Sequence, residues 1–310
     1  MPKPKTEDLP EFIVPLNVNG MQGRMLRLPS AGKKTKEILL IAGHHTSIER
    51  LLGVVEELNK YAGVTLPDLP GFGGMDSFYK IGKQPTLDNL ADYLAAFIKL
   101  RYKKRQKFII VGISFGFAVV TRMLQKYPDL VKRTEFVVSL VGMVHSEDFA
   151  LRRRTLLELK LLASALHLRP LAWFAHHVAF HPKFIRMTYN LVAETNPKMR
   201  GIDKAERQKL IDFEIGLWQT NDIRTHAATT LTMFKLDLCQ SSVDLPVYHV
   251  AVDGDRYFNN HVVEQHMRII YNDFELIKSP MKGHVPTVIA DSKAAAPFVP
   301  PKLRRLLARK

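Results

Sequence analysis

The chain has a single cysteine, Cys239, among 310 residues, which excludes an intrachain disulfide and any multi-cysteine zinc or iron–sulfur site. The lone thiol reads as an inert core group. No segment reaches the roughly 18 uninterrupted apolar residues that a spanning helix needs. The opening MPKPKTEDLPEF carries basic residues with no apolar run behind them, so no secretory leader is expected and the cytoplasm is the expected compartment. Also missing are a Walker-type G-x-x-x-x-G-K-[ST], a zinc-finger spacing and an RNP-like aromatic motif, so neither a nucleotide nor a specific nucleic acid is an expected partner. Acidic residues are the scarce charge. The 30 Asp+Glu stand against 45 Lys+Arg, a net charge of +15, enough to attract anionic partners without choosing among them.

What is present is the composition of an ordinary globular chain, 46% hydrophobic and 24% charged, long enough to bury a sizeable core. Residues 12–28 alternate loosely around Asn19-Gly20, a hairpin signal. EILLIAG (37–43) and GVTLP (63–67) are short continuous apolar runs of the kind a parallel strand buried on both faces requires. A helical pattern lies between them, from Ile48 to Tyr61. Thr86 precedes the amphipathic LDNLADYLAAFIKLRYK, with acids early and bases late as the helix dipole favours. The strand FIIVGI, the helical FAVVTRMLQKY and the strand TEFVVSLVGMV follow. Such alternation is the sign of a mostly parallel α/β sheet flanked by helices. It stops at about His145, gives way to almost wholly helical sequence, and resumes at LPVYHVAV (245–252) and FELIKS (274–279). The expected organisation is therefore one α/β domain, residues 1–144 and 241–310, split by an all-helical insertion over 145–240.

The stretch FIIVGISFGFAVV places one serine, Ser114, between Gly112 and Gly116, at the junction of an expected strand and an expected helix. A turn that sharp strains the serine backbone, and flanking side chains would collide with neighbouring backbone, which explains the glycines. Such a turn holds the hydroxyl out near a helix N-terminus, where backbone N–H groups can stabilise a developing oxyanion. A serine hydroxyl attacks only when an imidazole accepts its proton. His284, in SPMKGHVPTVI, follows the last expected strand and precedes a helical pattern, so a loop at the C-terminal edge of the sheet could deliver it to Ser114. The imidazole in turn needs a carboxylate to fix its tautomer. Asp255 in the loop Asp253-Gly254-Asp255 is the candidate, Asp253 its main rival, and Glu147 and Asp148 a third option.

The order Ser114, Asp255, His284, with the elbow GISFG, the loop DLPGFGGMDS and the terminal GHVPT, resembles the α/β-hydrolase superfamily over roughly Phe12 to Pro297. It is most similar to the serine-nucleophile branch with a helical cap after the sixth strand. The resemblance implies an oxyanion hole from the backbone N–H groups of Phe115 and His44. Here the sequence departs from the family pattern, with Ala42 where a histidine usually precedes Gly43. Serine at the elbow also separates the chain from the haloalkane dehalogenase and epoxide hydrolase branches, which use aspartate there. The implied activity is a serine hydrolase of the carboxylesterase or lipase-like type, acting without a cofactor on a small-molecule or lipid-like acyl ester. The alternatives are a carbon–carbon bond hydrolase, an acyltransferase, or a non-catalytic ligand-binding member of the fold.

The insertion is both apolar and basic, with Arg152, Arg153, Arg154, Lys160, Arg169, Lys183 and Arg186 against Glu158 alone before Asn190. A helical lid with solvated basic faces accounts for this pattern. Contact with an anionic membrane surface is the sharper reading, to which the basic tail KLRRLLARK could add. His176, His177 and His181 lie close in sequence, but Pro182 interrupts them and no H-E-x-x-H is present, so no metal site is expected.

Overall fold

The computed structural model describes residues 5–30, 36–192, 203–281, 283–284 and 291–309. Strands β1 (Ile13–Val18) and β2 (Met21–Leu28) form the expected hairpin, turned by Asn19 and Gly20 at φ +53° and +82°. The alternation follows as β3 (Glu37–Ile41), α1 (Leu52–Asn59), β4 (Gly63–Pro67), α2 (Leu87–Arg101), β5 (Phe108–Ile113), α3 (Phe115–Lys126), the short α4 (Pro128–Val131) and β6 (Thr134–Leu140). Five helices come next: α5 (Arg153–Leu166), α6 (Arg169–Phe174), α7 (Pro182–Val192), α8 (Lys204–Thr220) and α9 (Ile223–Met233). Then β7 (Val247–Val252), α10 (Asn260–Ile270), β8 (Phe274–Ser279), α11 (Ser292–Ala295) and α12 (Pro301–Ala308) complete the described chain. The part of the insertion over 193–202, and the residues directly after His284 where a helical pattern begins, lie outside the described residues.

The eight strands form one sheet in the order β1-β2-β4-β3-β5-β6-β7-β8, with β2 antiparallel to both neighbours and every other pair parallel. Each residue of β4 and β5 is buried, because helices cover both faces, and this is why those strands read as unbroken apolar runs. Alternate side chains serve the two faces. Ile110 packs with Phe97, Phe117 and Met267 under α2, α3 and α10, while Ile109 and Val111 pack with Val54, Leu58 and Leu303 under α1 and α12. Burying each such side chain contributes roughly 1.5–3 kcal/mol, so this three-layer core is the main source of rigidity beneath the sheet's C-terminal edge.

Two details of the topology position the site. After β3 the chain turns to one side to make β4, then crosses to the other side to make β5, so the loops after β3 and β5 diverge and leave a crevice at the sheet's edge. The helical stretch between β6 and β7 leaves and rejoins the sheet at one place. His145 and Asp237 form an isolated antiparallel bridge, with Ser146 N–H donating to the Leu236 carbonyl at 2.7 Å and Leu238 N–H to that of Val144 at 3.1 Å. The insertion's own cores are small, for example Ile185, Ile211 and Ile215 with Phe180, Tyr189 and Trp218 around them.

Candidate active site

Ser114 sits between β5 and α3 at φ +49°, ψ −121°, a conformation that costs a non-glycine residue on the order of 1–3 kcal/mol and persists only where its surroundings enforce it. Two hydrogen bonds hold it: its N–H donates to the Leu140 carbonyl at 2.9 Å and its carbonyl accepts from Phe117 N–H at 3.0 Å. The flanking glycines are required by contact. A Cβ on Gly112 would lie 2.7 Å from the Phe117 Cα, and one on Gly116 would lie 2.2 Å from the Ala42 carbonyl oxygen. Gly116 thereby lets the first turn of α3 press against the end of β3, bringing Phe115 next to Gly43 and His44.

His284 reaches this turn from the loop after β8. Its Nδ1 lies 2.7 Å from Asp255 Oδ2 and its Nε2 3.2 Å from Ser114 Oγ. A carboxylate only accepts, so Nδ1 carries the proton, Nε2 has the lone pair, and the Ser114 hydroxyl donates to it. Asp255 is almost fully buried, and its other oxygen accepts from Tyr257 N–H at 2.8 Å and Phe258 N–H at 3.3 Å. Burial alone would push this carboxyl upward, but the His284 hydrogen bond and charge, with the two backbone N–H groups, hold it below the usual carboxylate range. Tyr257 and Phe258 pack edge-on against the His284 ring, both at 5.1 Å between centroids. The rival carboxylates go elsewhere. Asp253 and Glu147 are exposed, and Asp148, though fully buried, accepts from Val144 N–H, His145 N–H and His266 Nδ1.

The loop after β3 carries Gly43, His44 and His45 over the serine; a Cβ on Gly43 would lie 3.4 Å from the Ser114 Cβ. His44 is pinned from above, where its Nε2 donates to the His226 carbonyl at 3.2 Å and lies 2.9 Å from Thr229 Oγ1 on α9. Burial lowers its imidazole to about 4, against a raising hydrogen bond to that carbonyl, so its ring stays neutral at ordinary pH. His45 has a positive φ of +49°, and its Nδ1 accepts from the Asn221 side-chain amide at 3.1 Å. Asn221 also accepts from Gly73 N–H at 2.7 Å, and the next residue, Asp222, donates its N–H to the Gly71 carbonyl at 2.8 Å. Asn221, His226 and Thr229 are site residues that the sequence reading missed. The one local signal was Asp222-x-x-Thr225, the helix cap of α9, where Asp222 Oδ1 accepts from Thr225 N–H at 2.6 Å.

A cavity of about 440 Å³ opens over Ser114 and His284, lined from the insertion by Leu159, Tyr189, Glu214, Trp218, His226 and Phe234 and from the sheet side by His45 and Arg50. Arg50 is lowered by its burial and raised back chiefly by Glu214, so the cavity holds one cation and one acid among mostly apolar walls. A larger groove of about 560 Å³, along Asp76, Ser77, Arg169 and Trp173, does not include the serine or the histidine. His176, His177 and His181 do not form a ligand cluster. Among the described residues, the one group able to hold a metal is His145, Glu147 and His266, in the loop after β6 and on α10, and it shares no residue with the cavity. Cys239 is half-buried, and burial, then Asp237 and Asp148, push its thiol up to about 11, so it is unreactive at neutral pH.

Comparison with known proteins agrees with this fold. A family model described as the alpha/beta hydrolase fold matches residues 38–284. No curated protein matches the chain. Among solved structures, the chain is similar to an enol-lactonase from Burkholderia xenovorans LB400, at 13% identity and a TM-score of 0.65 over 96% of this chain and 100% of that one. It is also similar to a thermophilic esterase from Thermogutta terrifontis, at 15% identity and a TM-score of 0.59 over 96% and 99%. An epoxide hydrolase shares 13% identity and a TM-score of 0.66 over 95% and 96%. At such identities the likeness is one of fold, and with a family match spanning most of the chain, this protein belongs to the α/β-hydrolase family.

Proposed function

We propose that the protein is a serine hydrolase of acyl esters, with Ser114, His284 and Asp255 as its catalytic triad and residues 145–240 as a helical cap. The observation that carries this reading is the position of His284, with one ring nitrogen on the serine hydroxyl and the other on a buried carboxylate. In this mechanism His284 Nε2 takes the Ser114 proton as Oγ attacks the acyl carbon. The tetrahedral oxyanion is held by the backbone N–H groups of Phe115, at the start of α3, and His44. His284 then gives the proton to the leaving alcohol, leaving an acyl-serine that a water, deprotonated by the same imidazole, hydrolyses. Asp255 keeps the proton on Nδ1 and stabilises the imidazolium. The cavity walls suit an apolar acyl group, with Arg50 and Glu214 offering contacts to a polar leaving group.

The test is labelling with a fluorophosphonate and hydrolysis of p-nitrophenyl esters of increasing chain length. Wild-type protein should take one adduct on Ser114, and Ser114→Ala should take none. Ser114→Ala and His284→Ala should each lose about 10⁴-fold or more in kcat. Folded wild-type protein that neither labels nor turns over any ester would overturn the reading. Product analysis with a β-diketone separates ester hydrolysis from carbon–carbon cleavage.

A further inference from the structure

Helices α5 to α7 each leave large apolar side chains exposed to solvent. Leu157 and Leu161 stand four residues apart on α5, Leu171 and Phe174 three apart on α6, and Phe184 and Met187 three apart on α7. These six side chains keep 44% to 62% of their surface exposed. A stripe at helical spacing is the pattern of a face that is covered, and isolated exposed leucines are ordinary, whereas three consecutive helices presenting such stripes are not. The same helices are strongly basic. From Arg152 to Leu191 there are seven Lys+Arg and one acid, Glu158; Glu158 pairs with Arg154 at 2.9 Å and Arg186 with Asp212 at 2.7 Å. Arg152, just before α5, and Arg153, Lys160 and Lys183 on these helices are exposed, as is Arg169, which borders the groove at Asp76.

We propose that the outward face of α5–α7 docks on an anionic phospholipid bilayer. Apolar side chains with interspersed cations on helices lying flat are the combination that partitions into the headgroup region, the cations pairing with lipid phosphates while the apolar groups enter the acyl boundary. A second copy of the chain is the poorer occupant, because pairing this face with itself opposes two surfaces of like charge. The docked bilayer lies against the helices that roof the cavity, since Leu159 of α5 and Tyr189 of α7 line it from within. The docking does not depend on the hydrolase chemistry.

The chain has two tryptophans, and they divide usefully: Trp173 on α6 is 62% exposed, while Trp218 lines the cavity. Full-length Trp218→Phe protein therefore reports from Trp173 alone. With vesicles of phosphatidylcholine and phosphatidylglycerol, its emission should shift to the blue and be quenched by brominated acyl chains, and the protein should float with the vesicles. Pure phosphatidylcholine vesicles and high salt should each weaken flotation severalfold. The double variant F174S/M187S should partition at least about tenfold more weakly, with an unchanged circular-dichroism melt and an unchanged rate on a soluble short ester. Wild-type protein that does not float with anionic vesicles would falsify the proposal. So would equal flotation of F174S/M187S, which would assign the binding to charge alone. A dimer in light scattering that F174S/M187S dissolves, without vesicle binding, would assign the face to a second copy.

Discussion

At the scale of single residues, Asp253 and Asp255 make the sharpest comparison, because they are two positions apart in one loop and only one meets the imidazole. Gly254, at φ +71°, turns the chain between them, leaving Asp253 in solvent and folding Asp255 under His284. Asp255→Asn should keep the fold and lower kcat by about 10⁴-fold, since an amide favours the wrong imidazole tautomer; Asp253→Asn should stay within about twofold of wild type. Steady-state kinetics on one ester decides, and equal losses would remove Asp255 from its assigned role. The sequence nominated this loop and ranked Asp255 ahead of Asp253 only for its slightly deeper place in it. Both carboxylates have the right spacing from the strand, and the choice depends on which one Tyr257 and Phe258 N–H groups cap.

Among elements, the elbow and the helix above it differ in how they were encoded. The β5–α3 turn was legible because its geometry restricts residue type at its two flanking positions: no Cβ fits at Gly112 or Gly116, whatever the rest of the protein does. Ser114, Asp255 and His284, which the structure brings within hydrogen-bond reach of one another, were nominated because each follows an expected strand. The contribution of α9 was not legible. His226 and Thr229 bind His44 only because α8 and α9 fold back over the sheet, and nothing in their spacing announces that. Asn221, at the junction of those two helices, ties His45 to the loop at Gly73 with both ends of its amide. Asn221→Ala should cost about 1–3 kcal/mol by leaving those buried partners unmet. It should also lower kcat by about 10- to 100-fold by loosening the loop that carries His44. Denaturant unfolding and kinetics read the two effects separately, and a variant with normal kcat would show that the loop holds without the amide.

For the whole molecule, the buried histidines each contribute a loss of stability in acid, which the buried Asp68, raised to about 8 by its own burial, partly offsets. Burial lowers His249 to about 4, opposed by the charge of Asp255, and lowers His44 to about 4 and His226 well below its ordinary value. Each stays neutral in the folded chain and takes a proton once unfolded, so the unfolded state binds more protons as pH falls below about 6.5 and stability drops with it. Between pH 7 and pH 5 His44 and His249 each remove about 2 kcal/mol. His249 lies beneath the sheet's edge, its Nδ1 2.9 Å from Ser139 Oγ and clear of the cavity. In His249→Gln the loss of unfolding free energy over that range should shrink by about that amount, and an unchanged loss would place the acid sensitivity elsewhere. At this scale the mostly parallel sheet and its flanking helices were readable from periodicity, whereas the exposure of the apolar side chains on α5–α7 was not, because sequence reports how apolar a helix is but not which side remains uncovered. The bridge between His145 and Asp237 has a consequence of another kind. Since the outgoing and returning segments touch there, the excursion between them hangs from the sheet by a single seam, and a turn of a few residues could close Val144 directly onto Leu238. Such a shortcut would keep the sheet but strip away Asn221, His226 and Thr229, so the loop over the serine would lose the contacts that hold it.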